Sequence, residues 1–398
     1  MEKHIQTMAD HWIKLLVLSL VMITQVVHGS KNITITILES AVSKGAVCLD
    51  GSPPAYFYDK GYGEGADNWL VYLEGGGWCA NTDFCHEWIS TKSTFRREKQ
   101  MQFRHILAPE QNINPDFYNW NRVFVAYCDG SSFMGDVEEA APGSNLCRRG
   151  ARIFDAVMED LVAKGMKNAK NAILAGGSAG GMATIYHCDG FRALIPGATR
   201  YKCIADSGLF TPADKKELIG YEKRVHRFDK LIAFHGTDKF LPKSCTSKMS
   251  VNLCHFPENV VRDIQTPLFI IESSYDSFQI YTGLDPGLPY NETTWSDCAN
   301  DLNFCTCPQL QSMKDFRAEF LKTLQAIAKS SSIGMFVHSC HIHGHFLNFH
   351  GWDPSPLLQN KTIAKVIGDW YFDRCFFQVI DTEDVGPKNC WKQVYQKN

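Results

Sequence analysis

One serine stands out by its setting. Gly176-Gly177-Ser178-Ala179-Gly180 follows the short apolar run Ala172-Ile173-Leu174-Ala175 and precedes a helical stretch from Met182 to His187. The G-x-S-x-G string alone is common, but at a strand-to-helix turn it has a mechanical meaning. A serine that attacks a carbonyl must stand clear of its sheet on a sharp turn. Glycines on both sides leave room where a Cβ would strike the neighbouring strand or helix. The chemistry is acyl transfer: a histidine activates the hydroxyl, an acyl-enzyme forms, and N–H groups stabilise the oxyanion. The helix amino terminus and the Ala179 amide face such an oxyanion. A second donor is expected from an early loop, and Glu74-Gly75-Gly76-Gly77-Trp78 lies after an early strand. No lysine follows those glycines, as a phosphate loop would require.

The partners of such a serine follow in the order acid, then histidine. Asp276 lies just beyond the apolar run 268–271, and Asp206, just beyond 203–205, competes with it. His338, His341, His343 and His345 come after the last apolar run, with His350 close behind, and any of them could be the base. Alternate residues share a face of an extended chain, so His341, His343 and His345 could instead hold a metal together. The string resembles one histidine-rich copper motif of multicopper oxidases. Those enzymes combine several such motifs on all-β domains, whereas this chain has one motif in an alternating pattern. Neither a metal nor an organic cofactor is expected.

The elements that position these residues are legible in outline. Apolar runs at 69–73, 123–127, 172–175, 203–205, 268–271 and 335–337 read as short buried strands. Between them Ile153, Phe154, Val157, Met158, Leu161 and Val162 recur at helical spacing, with Gly165 placed to cap the helix. Leu310, Met313, Phe316, Phe320, Leu324 and Ile327 mark a longer helix. Strand and helix alternating in this way predict an α/β fold with a mostly parallel sheet covered on both faces. No linker rich in Pro, Gly or Ser divides the chain, so residues 30–398 are expected to form a single domain.

Composition narrows the class further. With 44% hydrophobic residues among 398, the chain is not disordered. Forty basic residues against 43 acidic ones leave a net charge of -3, and the only modest basic cluster is Arg96, Arg97 and Lys99. No nucleic-acid partner is expected. Fifteen cysteines point to disulfides made in an oxidising lumen. Lys14, the apolar run 15–27 and Val27-His28-Gly29 read as a signal peptide over residues 1–29. That run is short for a membrane span, so no stable membrane insertion is expected after cleavage. Asn32, Asn291 and Asn360 head glycosylation sequons. The whole reads as a secreted, mildly acidic glycoprotein.

Several longer strings carry a family resemblance. Cys48-Leu-Asp-Gly-Ser-Pro-Pro-Ala-Tyr56, Glu74 to Cys79, Asn114-Pro-Asp-Phe-Tyr-Asn-Trp-Asn-Arg122 and Tyr127-Cys-Asp-Gly-Ser-Ser-Phe133 resemble the plant pectin acetylesterase family. So do Gly176 to Gly181, Gln265-Thr-Pro-Leu-Phe-Ile270, Tyr275-Asp-Ser277 with Gln279, and Gly368-Asp-Trp370. The resemblance implies an α/β-hydrolase fold with loop insertions and disulfides, and a serine esterase that removes acetyl groups from pectin in the cell wall. It implies Ser178 as nucleophile, Asp276 as orienting acid and His343 as base, since Ser339-Cys340-His341-Ile342-His343 matches the family's Ser-Cys-x-x-His. The oxyanion donors then fall on the amides of Gly76, Gly77 and Ala179. Notum-type carboxylesterases, which deacylate a lipid-modified protein, are distant relatives and supply an alternative substrate class. A catalytically inactive carbohydrate-binding relative is the other.

This sequence departs from that family beside the expected catalytic residues. Gly177 stands where the family usually has Cys, and Gly344-His345 where it usually has Cys-Gln. Cys147 and Cys375 are not expected, and an odd total leaves at least one thiol outside any internal bridge. Similarity to the acetylesterases along most of the length predicts a shallow acyl pocket beside an open, polar cleft for the sugar.

Overall fold

The apolar runs become neighbours in a single ladder. The computed structural model describes residues 31–92, 98–141, 143–212, 221–284, 295–346, 352 and 356–390. The expected leader, Arg96, Arg97, Asn291 and His350 lie outside the described residues. The strands are β1 (Asn32–Ile37), β2 (Ala55–Asp59), β3 (Asn68–Leu73), β4 (Gln100–Gln102) and β5 (Asn121–Val125). Then come β6 (Asn171–Gly177), β7 (Arg200–Asp206), β8 (Leu268–Ser273), β9 (Ile333–His338) and β10 (Gln378–Ile380). They form one sheet in the order β10-β9-β8-β7-β6-β3-β5-β2-β1-β4. From β10 through to β5 every pairing is parallel, and β2, β1 and β4 continue the sheet antiparallel.

Parallel strands covered on both faces must be apolar on both, and these are. Along β3, Leu70 and Tyr72 enter one core while Trp69, Val71 and Leu73 enter the other. The larger core is closed by α2 (Gly150–Ala163), α3 (Ala179–Leu194) and α6 (Cys307–Ile327), which bury Val157, Ala183 and Phe316 among others. Gly165 takes φ 118° just past α2, where it follows the C-cap Lys164. A capping box of Thr306 and Gln309 starts α6. The smaller core is closed by α7 (Ile363–Tyr371) with Trp120 and Trp352. Three helices, α1 (Thr82–Lys92), α4 (Tyr221–His235) and α5 (Ser277–Leu284), carry residues that line the pocket beside Ser178.

All six expected strands are present. The run at 123–127 forms its strand two residues earlier, because the Tyr127 amide leaves the ladder to donate to the Glu74 carboxylate (2.8 Å). Strands β1, β4 and β10 and helix α4 carried no clear apolar signal, and β2, the short apolar run Ala55 to Tyr58, also went unread; β1, β2 and β4 make the antiparallel edge. Six disulfides join Cys48–Cys128, Cys79–Cys85, Cys188–Cys203, Cys245–Cys254, Cys298–Cys305 and Cys340–Cys390. The unpaired cysteines are Cys147, Cys307 and Cys375, which include both that the resemblance did not lead one to expect. Among the described residues no helix is long and apolar enough to cross a membrane.

Candidate active site

Ser178 stands between β6 and α3 with φ 55° and ψ -123°, outside the regions that L-residues ordinarily occupy. The surroundings impose this conformation. A Cβ on Gly176 would strike the Gly180 carbonyl, and one on Gly180 would strike the Leu73 carbonyl. Strand and helix therefore meet at backbone contact, and the serine is pushed out at the turn. Its amide donates to the carbonyl of Asp206 on the adjacent strand (2.8 Å).

His343 reaches Ser178 from the loop after β9. Its Nε2 lies 2.7 Å from Ser178 Oγ, and its Nδ1 lies 2.6 Å from Asp276 Oδ2. With Asp276 as carboxylate, Nδ1 donates and Nε2 accepts the serine proton. Asp276 is fully buried, and its other oxygen accepts from the Gln279 amide in the first turn of α5 (2.8 Å). Burial alone would lower the His343 pKa, but Asp276 and, more remotely, Asp206 outweigh it and leave the imidazole raised. Phe278 stacks on the ring, with centroids 5.0 Å apart and planes 27° from parallel.

The glycine loop is tied down from behind. Trp88 Nε1 donates to the Gly76 carbonyl (2.9 Å), and the Tyr127 hydroxyl donates to the Gly77 carbonyl (3.0 Å). Both carbonyls are thereby occupied away from Ser178, while Gly76 and Gly77 line the same pocket as Ser178 and His343. Ala179 is the first residue of α3, where the N–H has no partner within the helix.

The neighbouring histidines point elsewhere. His341 Nε2 lies 2.7 Å from the Ala299 carbonyl. His345 Nδ1 meets Asp206 Oδ1 at 2.5 Å, and its Nε2 meets His338 Nε2 at 2.7 Å. Asp206 thus faces His345, and Asp276 faces His343. Among the described residues, the side chains close enough to share a metal are Cys79, Cys85 and His235, and both cysteines are consumed by their disulfide.

The pocket differs from the shallow, polar site expected. It measures about 710 Å³, and Trp78, Phe84, Trp88, Leu231 and Phe278 give it largely apolar walls. Arg227, whose Nη2 donates to the Thr282 carbonyl (3.3 Å), also lies in the wall. Apart from Trp78, which ends the early glycine loop, none of these side chains was singled out in the sequence, because nothing local links α1, α4 and α5 to Ser178. Glu272 was missed as well. Burial, with Asp276 adding to it, pushes its carboxyl well above the ordinary range, and among the described residues it accepts only from the Leu209 amide at 2.8 Å. An acid at the end of an otherwise apolar strand was the available signal.

Gly177 has a physical reason to lack a side chain. A Cβ there would sit 2.5 Å from the Tyr72 hydroxyl. Tyr72 cannot easily yield, since it is buried and its ring stacks on Phe124 (5.5 Å) and meets Phe346 edge-on (5.9 Å). Its hydroxyl has no hydrogen-bond partner among the described residues. Gly177→Ala should therefore cost about 1–3 kcal/mol of stability. Tyr72→Phe should recover much of that in the double variant, as a double-mutant cycle of urea melts would measure.

Comparison with known proteins places the chain in a family. The family model described as Pectinacetylesterase matches residues 27–391. The chain is 44% identical over 386 residues to pectin acetylesterase 11 of Arabidopsis thaliana, covering 95% of this chain and 97% of that protein. It is 46% identical over 374 residues to pectin acetylesterase 7 of the same plant, covering 93% and 94%. A palmitoleoyl-protein carboxylesterase, notum2 of Xenopus laevis, is 24% identical over 337 residues, covering 81% of this chain and 64% of that protein. With an α/β-hydrolase-like sheet, and with a family match running almost end to end, the chain belongs to the pectinacetylesterase family and is a carboxylic ester hydrolase.

Proposed function

We propose that this protein is a secreted serine esterase that removes acetyl groups from pectin. The observation that carries this reading is the hydrogen-bonded row Ser178–His343–Asp276 at 2.7 and 2.6 Å, opening into a pocket. His343 Nε2 takes the Ser178 proton as Oγ bonds to the acetyl carbon, and the carbonyl oxygen becomes an oxyanion. In this reading the amides of Gly76, Gly77 and Ala179 stabilise it. The C–O bond to the sugar breaks, and the sugar oxygen leaves with the proton from His343. Water then adds to the acetyl-enzyme, giving its proton to the same imidazole, and acetate departs as Ser178 recovers its hydrogen. Asp276 holds the imidazole in the useful tautomer throughout. The oxidising compartment implied by six disulfides supports secretion after loss of residues 1–29 and action in the cell wall. Asn32 and Asn360 are exposed and open to glycosylation; Asn291 is the third candidate.

Ser178→Ala should fold normally yet lose about 10⁴–10⁶-fold in kcat for acetate release from acetylated pectin. Undiminished release would refute the mechanism. The base must be unprotonated, so kcat/KM should fall as pH drops through the His343 pKa. The raised imidazole puts that limb above the ordinary value of 6.5, which a pH–rate profile reads directly.

Arg227 is the wall cation suited to a galacturonate carboxylate, and this gives a polyanionic substrate a local partner on a protein of net charge -3. Arg227→Gln should raise KM for acetylated polygalacturonate by about tenfold, the worth of one charge-assisted hydrogen bond. The rate on neutral nitrophenyl acetate should fall much less.

The apolar walls favour a second reading, hydrolysis of longer acyl esters. Nitrophenyl esters from acetate to octanoate separate the two. A decline in kcat/KM with chain length supports the acetylesterase. A rise, with no acetate released from acetylated pectin, replaces it.

A further inference from the structure

Asp206 is buried near the catalytic row, and the mechanism above gives its carboxylate no task. What it binds is the loop that carries His343. Oδ2 accepts the amides of His345 (2.7 Å) and Phe346 (2.8 Å), and Oδ1 accepts His345 Nδ1 (2.5 Å). The next residue along, Ser207, accepts the Gly344 amide through Oγ (2.9 Å). Three successive amides after His343 thus end on the tip of β7. That tip also holds the other side of the site, through the bond from the Ser178 amide to the Asp206 carbonyl.

The polarity of the network is fixed from its far end. The Cys340 amide donates to His338 Nδ1 (3.1 Å), so His338 carries its hydrogen on Nε2 and donates to His345 Nε2. His345 must then donate from Nδ1 to Asp206. The carboxylate is satisfied by these N–H groups and by the Ser207 hydroxyl, which donates to Oδ1 (3.3 Å), and among the described residues no lysine or arginine pairs with it. Its negative charge remains to act on its surroundings. Around it stand Tyr72 from β3, Glu272 near the end of β8, and His105; Asp276 lies by Glu272, and His338 from β9, with Lys388 near it, lies beyond His345. Burial opposes ionisation of Asp206, but the His345 ring and the two amides outweigh burial and hold the carboxyl below the usual range.

We infer that Asp206, acting through His345, is a positioning residue for the esterase reaction: it clamps the 343–346 loop and adds a second negative charge behind the His343 imidazole. This rests on the reading of His343 as the base. As Ser178 loses its proton, the imidazole becomes a cation, and a fixed anion nearby stabilises that state more than the resting one. A glutamine at 345 offers the same donor and acceptor as this histidine tautomer, so it should substitute for it in the clamp.

The test is nitrophenol release from nitrophenyl acetate between about pH 5 and 9, with circular dichroism to check folding. Ser178→Ala must be inactive; if it is not, the catalytic reading itself fails. Granted that, Asp206→Asn should lower kcat by about tenfold or more with little change in KM, and move the acid limb to lower pH by about half a pH unit or more. A folded Asp206→Asn enzyme whose acid limb stays in place overturns the proposal, whether or not its rate falls uniformly. If Asp206→Asn does not fold, the histidine variants decide. His345→Ala should lose kcat and His345→Gln should regain most of it. Equal rates for wild type and His345→Ala, or no recovery by His345→Gln, overturn it.

Discussion

The site depends on holding a strained serine. At φ 55° and ψ -123° Ser178 occupies a conformation that costs of the order of 1–3 kcal/mol and survives only where its surroundings over-determine it. Two constraints do so here. Backbone contact at Gly176 and Gly180 fixes the angle between β6 and α3, and the bond from the Ser178 amide to Asp206 anchors the turn to the next strand. The register of the parallel ladder, in which Gly177 pairs with Asp206 and Asp206 with Ile271, places the ends of β6, β7 and β8 side by side. Nucleophile, clamp and acid come from these three adjoining ends. Such a site sits on the sheet rather than on loops alone, where hydroxyl and imidazole could not be held to a few tenths of an ångström.

Three acids lie buried around this point, and their environments separate them. Asp276 faces an imidazole and a helix-turn amide, and Asp206 faces an imidazole and two amides. Glu272 receives a single amide and has two carboxylates for neighbours, so its carboxyl is driven toward the neutral form. Driving the Glu272 carboxyl toward its neutral form lessens the repulsion among them without removing the side chain. The arrangement biases the field at His343 toward imidazolium and leaves the base able to return its proton.

Much of this was legible along the chain, where local pattern carries the information. The buried parallel strands appear as short apolar runs, and the glycine-flanked serine marks the turn at which β6 gives way to α3. The antiparallel strands β1 and β4 were not visible, since half-exposed strands lack such runs; β2, with Ala55, Tyr56 and Phe57 buried, is a short apolar run that went unread. The choice of base was not local either. His338, His341, His343 and His345 crowd eight positions, and only tertiary partners distinguish them: Cys340 and His345, Ala299, Ser178 with Asp276, and Asp206. Family likeness selected His343 where residue chemistry alone left the matter open. The pocket was misjudged for the same reason. Its walls come from α1, α4 and α5, which are separated from one another and from β6 by long stretches of sequence.

That separation has a consequence for substrate range. The elements that hold the hydrogen-bonded row are strand ends fixed by register, and altering them disturbs several bonds at once. The elements that shape the pocket are outlying helices, each contributing two or three residues, Phe84, Leu231 and Phe278 among them, to the wall. Such walls can change volume and polarity one residue at a time while Ser178, His343 and Asp276 stay in place. Gly177 lies where the two sets meet. A side chain there would collide with Tyr72, whose ring is locked between Phe124 and Phe346 in the opposite core. The size of residue 177 is therefore set by packing behind the sheet. A related chain with a larger residue at this position must have moved or replaced the tyrosine, so the space beside the nucleophile depends on a ring that packs in the opposite core.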